Sequence, residues 1–107
     1  MTLRQTQTLF VQLLGKLIDF TYSSGYELTL GDGWRADGQG HMKGSLHYIR
    51  LAQDLNLFVG GVYITSDHPA WHKLGTYWTS LHPLCRWGGN FTAKDYNHFS
   101  LTYGGKE

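Results

Sequence analysis

Cys85 is the only cysteine in the chain, so no internal disulfide can staple it. A chain of 107 residues without a staple must hold together through one small hydrophobic core, with a bound metal as the other source of stability. The composition is adequate for such a core. Apolar residues make up 41% and aromatics 15%, which predicts a folded globule rather than a disordered chain. A single domain spanning residues 1–107 is expected. The net charge of +1 argues against a nucleic-acid partner, which calls for a clustered basic surface. No apolar run is long enough to cross a membrane, so membrane insertion is not expected either. The first twenty residues contain Arg4, several glutamines, Lys16 and Asp19, and do not read as a signal peptide. If the target lies outside the cytoplasm, another factor must release the protein to it. The expected state is a monomer.

Local patterns divide the chain further. Leu3, Phe10, Leu13, Leu14, Leu17 and Ile18 recur at helical spacing and predict an amphipathic helix over 3–20, ended by Ser23-Ser24-Gly25. Tyr26 to Leu30 reads as a short strand, and the glycine-rich stretch from Gly31 to Gly44 as a loop. Dense apolar residues from Ser45 to Val59 predict a buried strand region. Gly60-Gly61 turns the chain into a β-branched and aromatic strand, Val62 to Thr65. Asp67 is the predicted cap of a second helix, with Pro69 in its first turn and Trp71, Leu74, Trp78 and Leu81 as its apolar stripe. Pro83 stops that helix, Gly88-Gly89 is a loop, and Phe99 to Tyr103 is a terminal strand. Together these predict an α+β fold: a small antiparallel sheet with helices packed on one side.

Two segments carry chemistry. The first is Ser45-Leu46-His47-Tyr48-Ile49-Arg50-Leu51-Ala52-Gln53-Asp54-Leu55; the second is Asp95-Tyr96-Asn97-His98-Phe99-Ser100. A catalytic zinc site takes three protein ligands and leaves a position for water. His47, His98 and one of the two carboxylates fill that requirement, and the other carboxylate is left as a base. Spacing imposes a condition. His47 and Asp54 are seven positions apart, so an unbroken strand would hold them roughly 23 Å apart on opposite faces. Both reach one metal only if the chain bends between them. Asp95 and His98 are three apart and share a face on a tight turn, where the carboxylate can take a proton from a metal-bound water.

Ser45-x-His47, six intervening residues and Asp54, followed by Asp95-x-x-His98, resembles the signature of the zinc D-Ala-D-Ala carboxypeptidase family, which includes D,D-dipeptidases and phage L-alanyl-D-glutamate endolysins. The resemblance implies a zinc site at the sheet with His47, Asp54 and His98 as ligands. It implies Asp95 as the general base that later passes its proton to the leaving amine. Gly33-Trp34-Arg35 is similar to the family's Gly-Tyr-Arg segment, which implies that Arg35 meets a substrate carboxylate or steadies the tetrahedral intermediate. The implied substrate is a peptidoglycan stem peptide, cut at L-Ala-D-Glu in the phage manner or at D-Ala-D-Ala. A phage enzyme of this kind is made in the host cytoplasm and reaches the bacterial cell wall after release. A zinc-containing binding module without catalysis is the reading of a different class.

Other candidates have plainer readings. His68 and His72 are four apart on the predicted helix, but Pro69 stands where a zinc-binding helix carries Glu, so they are expected to be surface histidines. Cys85 follows Pro83 at a helix end, a poor setting for a nucleophile, and is expected to be a buried apolar thiol. Trp34, Trp71, Trp78 and Trp87 are expected mostly in the core.

Overall fold

The computed structural model describes residues 1–33 and 45–106. The first helix, α1, runs Leu3–Ser23 and begins in a capping box. Gln5 N–H donates to Thr2 Oγ1 at 3.1 Å, and Thr2 N–H donates back to Gln5 Oε1 at 2.9 Å. Phe10, Leu13 and Leu17 bury one stripe, and Gly25 at φ 86° turns the chain away from the helix end.

Five short strands follow: β1 Glu27–Leu30, β2 Ala52–Val59, β3 Val62–Ile64, β4 Cys85–Trp87 and β5 His98–Leu101. All pair antiparallel, in the order β1-β2-β5-β4. β3 pairs with the far end of β2, from Leu57 to Val59, while β5 pairs with its near end, from Ala52 to Asp54. Leu57 has Leu28 of β1 on one edge and Ile64 of β3 on the other, so β3 and β5 follow one another along the same edge of β2. The second helix, α2, spans Pro69–Leu81 and packs on α1 and β4. No helix among the described residues is long and apolar enough to cross a membrane.

Trp71, Trp78, Phe99, Leu17, Leu55, Leu57, Leu74 and Leu101 form the centre of the core. Trp78 ties its layers together: its Nε1–H donates to the carbonyls of Arg86 and Ser100 at 3.0 and 3.2 Å. Gly75 is where α2 meets Trp87. A Cβ added there would lie 2.1 Å from Trp87 Cδ2. Gly75→Ala is therefore expected to destabilise the fold by about 1–3 kcal/mol through overpacking, despite alanine's better helix propensity. A denaturant midpoint equal to or above that of the parent would show that α2 does not pack this closely.

Several expectations need correction. The chain from Ser45 to Val59 is not one strand. Ser45 Oγ accepts from His47 N–H at 3.2 Å and starts a 3-10 turn, Leu46–Ile49. Arg50 then adopts a left-handed φ of 58°, and only at Ala52 does β2 begin. The cap of α2 is His68, whose Nδ1 accepts from Ala70 N–H at 3.0 Å; Asp67 instead accepts from His72 Nε2 at 2.6 Å. β4 escapes pattern reading because three residues are too few to show a period. Gly88–Asn90 is a 3-10 turn rather than an irregular loop, and the terminal strand starts at His98 and ends at Leu101.

Candidate metal centre

Three elements converge on one point. The 3-10 turn supplies His47, β2 supplies Asp54, and β5 supplies His98. The left-handed residue Arg50 reverses the chain between His47 and Asp54, which is the bend their spacing demands. Asp54 and His98 are directly opposed in the β2-β5 ladder, so sheet register alone brings them together. His47 Nε2 lies 3.3 Å from Asp54 Oδ1, and His98 Nδ1 lies 3.6 Å from the same oxygen. One ligand atom from each residue falls within 4.8 Å of the others.

Each imidazole is aimed by its second nitrogen. His47 Nδ1 is 2.9 Å from the Gly33 carbonyl, an acceptor only, so Nδ1 carries the hydrogen and Nε2 presents a lone pair. His98 Nε2 is 3.0 Å from Ser100 Oγ; donation from Nε2–H leaves the lone pair on Nδ1. Such partners fix ring orientation at metal sites. Asp54 Oδ1 is buried and makes no hydrogen bond among the described residues. A buried carboxylate oxygen without a donor is costly, and a cation resolves the cost. Two imidazole nitrogens and one carboxylate oxygen, with the nitrogen–oxygen separations of 3.3 and 3.6 Å close to the roughly 3.3 Å edge of a tetrahedral zinc shell, fit a divalent ion of the zinc type.

Asp95 stands beside this group without joining it. Its Oδ2 is 4.0 Å from His98 Nδ1, and its side chain is 52% exposed. The backbone holds it: Asp95 N–H donates to the Gly88 carbonyl at 3.0 Å, and His98 N–H donates to the Asp95 carbonyl at 3.1 Å. A Cβ on Gly88 would sit 2.1 Å from the Asp95 carbonyl oxygen, so only glycine lets this turn close. Arg35 and Trp34 lie outside the described residues.

Charge within the cluster is coupled. Burial pulls the His47 imidazole down, but the Asp54 carboxylate, helped by the Gly33 carbonyl and Asp32, outweighs it and raises His47 above its ordinary 6.5. Burial pushes the Asp54 carboxyl up, but His47 and His98 outweigh it and hold Asp54 below its ordinary 3.8. In metal-free protein the His47 contribution to stability is complete below pH 6.5 and is lost as pH rises through the raised value. The Asp54 contribution is present above pH 3.8 and is lost as pH falls through the lowered value. A metal needs neutral imidazoles and competes with protons for them. The melting temperature gained on adding zinc should therefore be larger at about pH 8 than at about pH 6. An equal gain at both would place the metal away from these histidines.

The remaining candidates are elsewhere. His68 caps α2, and His72 pairs with Asp67 and packs on Trp87 and Tyr96. Cys85 is buried, and burial pushes its thiol up to about 12, so it is no nucleophile at neutral pH. Trp71, Trp78 and Trp87 are buried in the core as expected. Ser100, Gly88 and the Gly33 carbonyl had no role in the sequence reading. Ser100 was findable, since a strand places residues two apart on one face and so aligns it with His98. The Gly33 carbonyl is a main-chain group that no residue identity announces.

Comparisons with known proteins bear on the family and the fold. Residues 39–101, more than half of the chain, match the family model described as D-alanyl-D-alanine carboxypeptidase. The fold is similar to the crystal structure of the Serratia marcescens L-Ala D-Glu endopeptidase ChiX, with a TM-score of 0.69 and 19% sequence identity over 94% of this chain and 83% of that one. No functionally curated protein matches the sequence.

Proposed function

The chain belongs to the D-alanyl-D-alanine carboxypeptidase family, and from that premise we propose that it is a zinc-dependent peptidase acting on the stem peptides of bacterial peptidoglycan. The observation that carries this reading is the convergence of two aimed imidazoles on a buried Asp54 oxygen that lacks a donor, with Asp95 at the mouth. His47, Asp54 and His98 would hold a zinc ion, which would supply Lewis-acid chemistry for the scissile carbonyl and for the attacking water. The rest is done by the protein's own groups. The Asp95 carboxylate accepts the water proton at one oxygen and hands it to the departing amine, so the peptide bond breaks with protons conserved. Gly88 and the turn it permits keep Asp95 at that position. Gly33 and Ser100 hold the two imidazoles in the required tautomers.

Cleavage between L-Ala and D-Glu is the favoured bond, supported by the likeness to a fold whose named activity is that one. The family description favours D-Ala-D-Ala cleavage as the second reading. The setting that suits the first is a phage endolysin acting on the cell wall. Digestion of purified peptidoglycan separates the two: new L-Ala carboxyl and D-Glu amino termini in the first case, released D-Ala in the second. Absence of any new terminus with zinc supplied would sink both, leaving the binding-module reading.

A further inference from the structure

Asp95 sits on an irregular segment between the 3-10 turn Gly88–Asn90 and β5. The reach of its carboxylate is therefore set by whatever holds the backbone of that segment. Three successive carbonyls are held. The Asp95 carbonyl accepts from His98 N–H at 3.1 Å, and the Asn97 carbonyl accepts from Leu55 N–H at 2.9 Å. Between them, the Tyr96 carbonyl accepts from the indole Nε1–H of Trp87 at 2.7 Å. This contact is the shortest of the three, and its donor is a side chain.

A side chain can fix a backbone only if it is itself fixed. Trp87 is 4% exposed, and its main chain pairs with Phe99 in the β4-β5 ladder. Its ring lies against two glycines that leave no room for a methyl group. A Cβ on Gly75 of α2 would lie 2.1 Å from Trp87 Cδ2, and one on Gly89 would lie 2.2 Å from Cζ2. His72, held by Asp67, packs edge-on against the same indole with ring centres 5.2 Å apart. A buried tryptophan needs an acceptor for its N–H, and many carbonyls would serve. Here the acceptor belongs to the residue that follows Asp95, so the packing of α2 on β4 is passed to the Asp95 backbone.

We propose that Trp87 is the positioning residue for Asp95: its indole N–H pins the Tyr96 carbonyl and so holds the Asp95 carboxylate at the metal centre. The assignment rests on the reading of Asp95 as the general base. Trp87→Phe deletes the donor and leaves the carbonyl without this partner. A base displaced by a fraction of an ångström works far less well. The variant should lose about tenfold in kcat while KM and zinc stoichiometry stay as in the parent. Phenylalanine also leaves space beside the two glycines, so a second variant carries 3-benzothienylalanine at position 87. That side chain keeps the bicyclic shape and puts sulfur in place of the N–H. It should lose as much kcat and keep the parent's melting temperature. Either change made in Asp95→Ala should cost no further rate, because nothing is left to position.

Full activity of the benzothienyl variant, or equal fractional losses with and without Asp95, would overturn the assignment. Amide hydrogen exchange tests the anchor without turnover. The Asp95 and His98 amides, which bond within the turn, should exchange about tenfold faster in both variants, while the Leu101 amide, bonded to the Leu51 carbonyl, is unchanged. That pattern in a protein that cleaves nothing would keep the anchor and remove the peptidase reading. Unchanged exchange in a protein that cleaves stem peptide would remove the anchor and keep the reading.

Discussion

Asp95→Ala is expected to lower cleavage of peptidoglycan by about 10²–10⁴-fold while the protein keeps its metal and its fold. The size follows from the role. A positioned general base that takes a proton from water and returns it to the amine is worth that much in rate. Asp54, the carboxylate of the converging trio, is buried between the two histidines and is not placed to substitute for it. The retained fold follows from exposure, since the Asp95 side chain is 52% exposed and the turn is also held by backbone hydrogen bonds that the substitution leaves in place. Zinc analysis beside a lysis assay on the same preparation checks both halves. Undiminished turnover would remove Asp95 from the chemistry. Loss of metal together with activity would make it a ligand instead.

His98→Ala should be the more damaging change. His98 is 7% exposed and lies opposite Asp54 in the ladder, so truncation removes a proposed ligand and opens a gap in a strand buried along its whole length. With one nitrogen gone, the remaining pair no longer meets the three-ligand requirement, and activity should fall to background. The stability supplied by bound metal is lost as well, amounting to about 4 kcal/mol when free zinc exceeds the dissociation constant a thousandfold. Melting curves with and without zinc give the readout. The wild type should shift upwards with zinc and the variant should not. A variant that still shifts would show that His98 is not a ligand.

How much of this was legible in the sequence depends on what each residue had to reveal. The helices showed themselves because Phe10, Leu13, Leu17 and Trp71, Leu74, Trp78 repeat at the helical period and are all buried. The converging trio of His47, Asp54 and His98 was legible as residue types and spacing, and the spacing of His47 and Asp54 demanded a bend. Its form was not legible. A left-handed arginine and a 3-10 turn follow from local hydrogen bonds at Ser45 and His47, which dense apolar residues disguise as strand. The cap of α2 went to His68 because its ring nitrogen reaches Ala70 N–H, while Asp67 is held by His72. The contact of the Gly33 carbonyl with His47 arises from how distant segments meet, which one sequence does not record. Arg35, implied by resemblance alone, lies outside the described residues.

The most direct measurement is zinc stoichiometry by equilibrium dialysis, run on wild-type protein, on Asp54→Ala and on the surface control His72→Ala. One zinc per chain in the wild type and in the control, and none in Asp54→Ala, is the expected result. One zinc per chain in all three would place the metal elsewhere, and none in the wild type would mean that the convergence of His47, Asp54 and His98 is not a metal site.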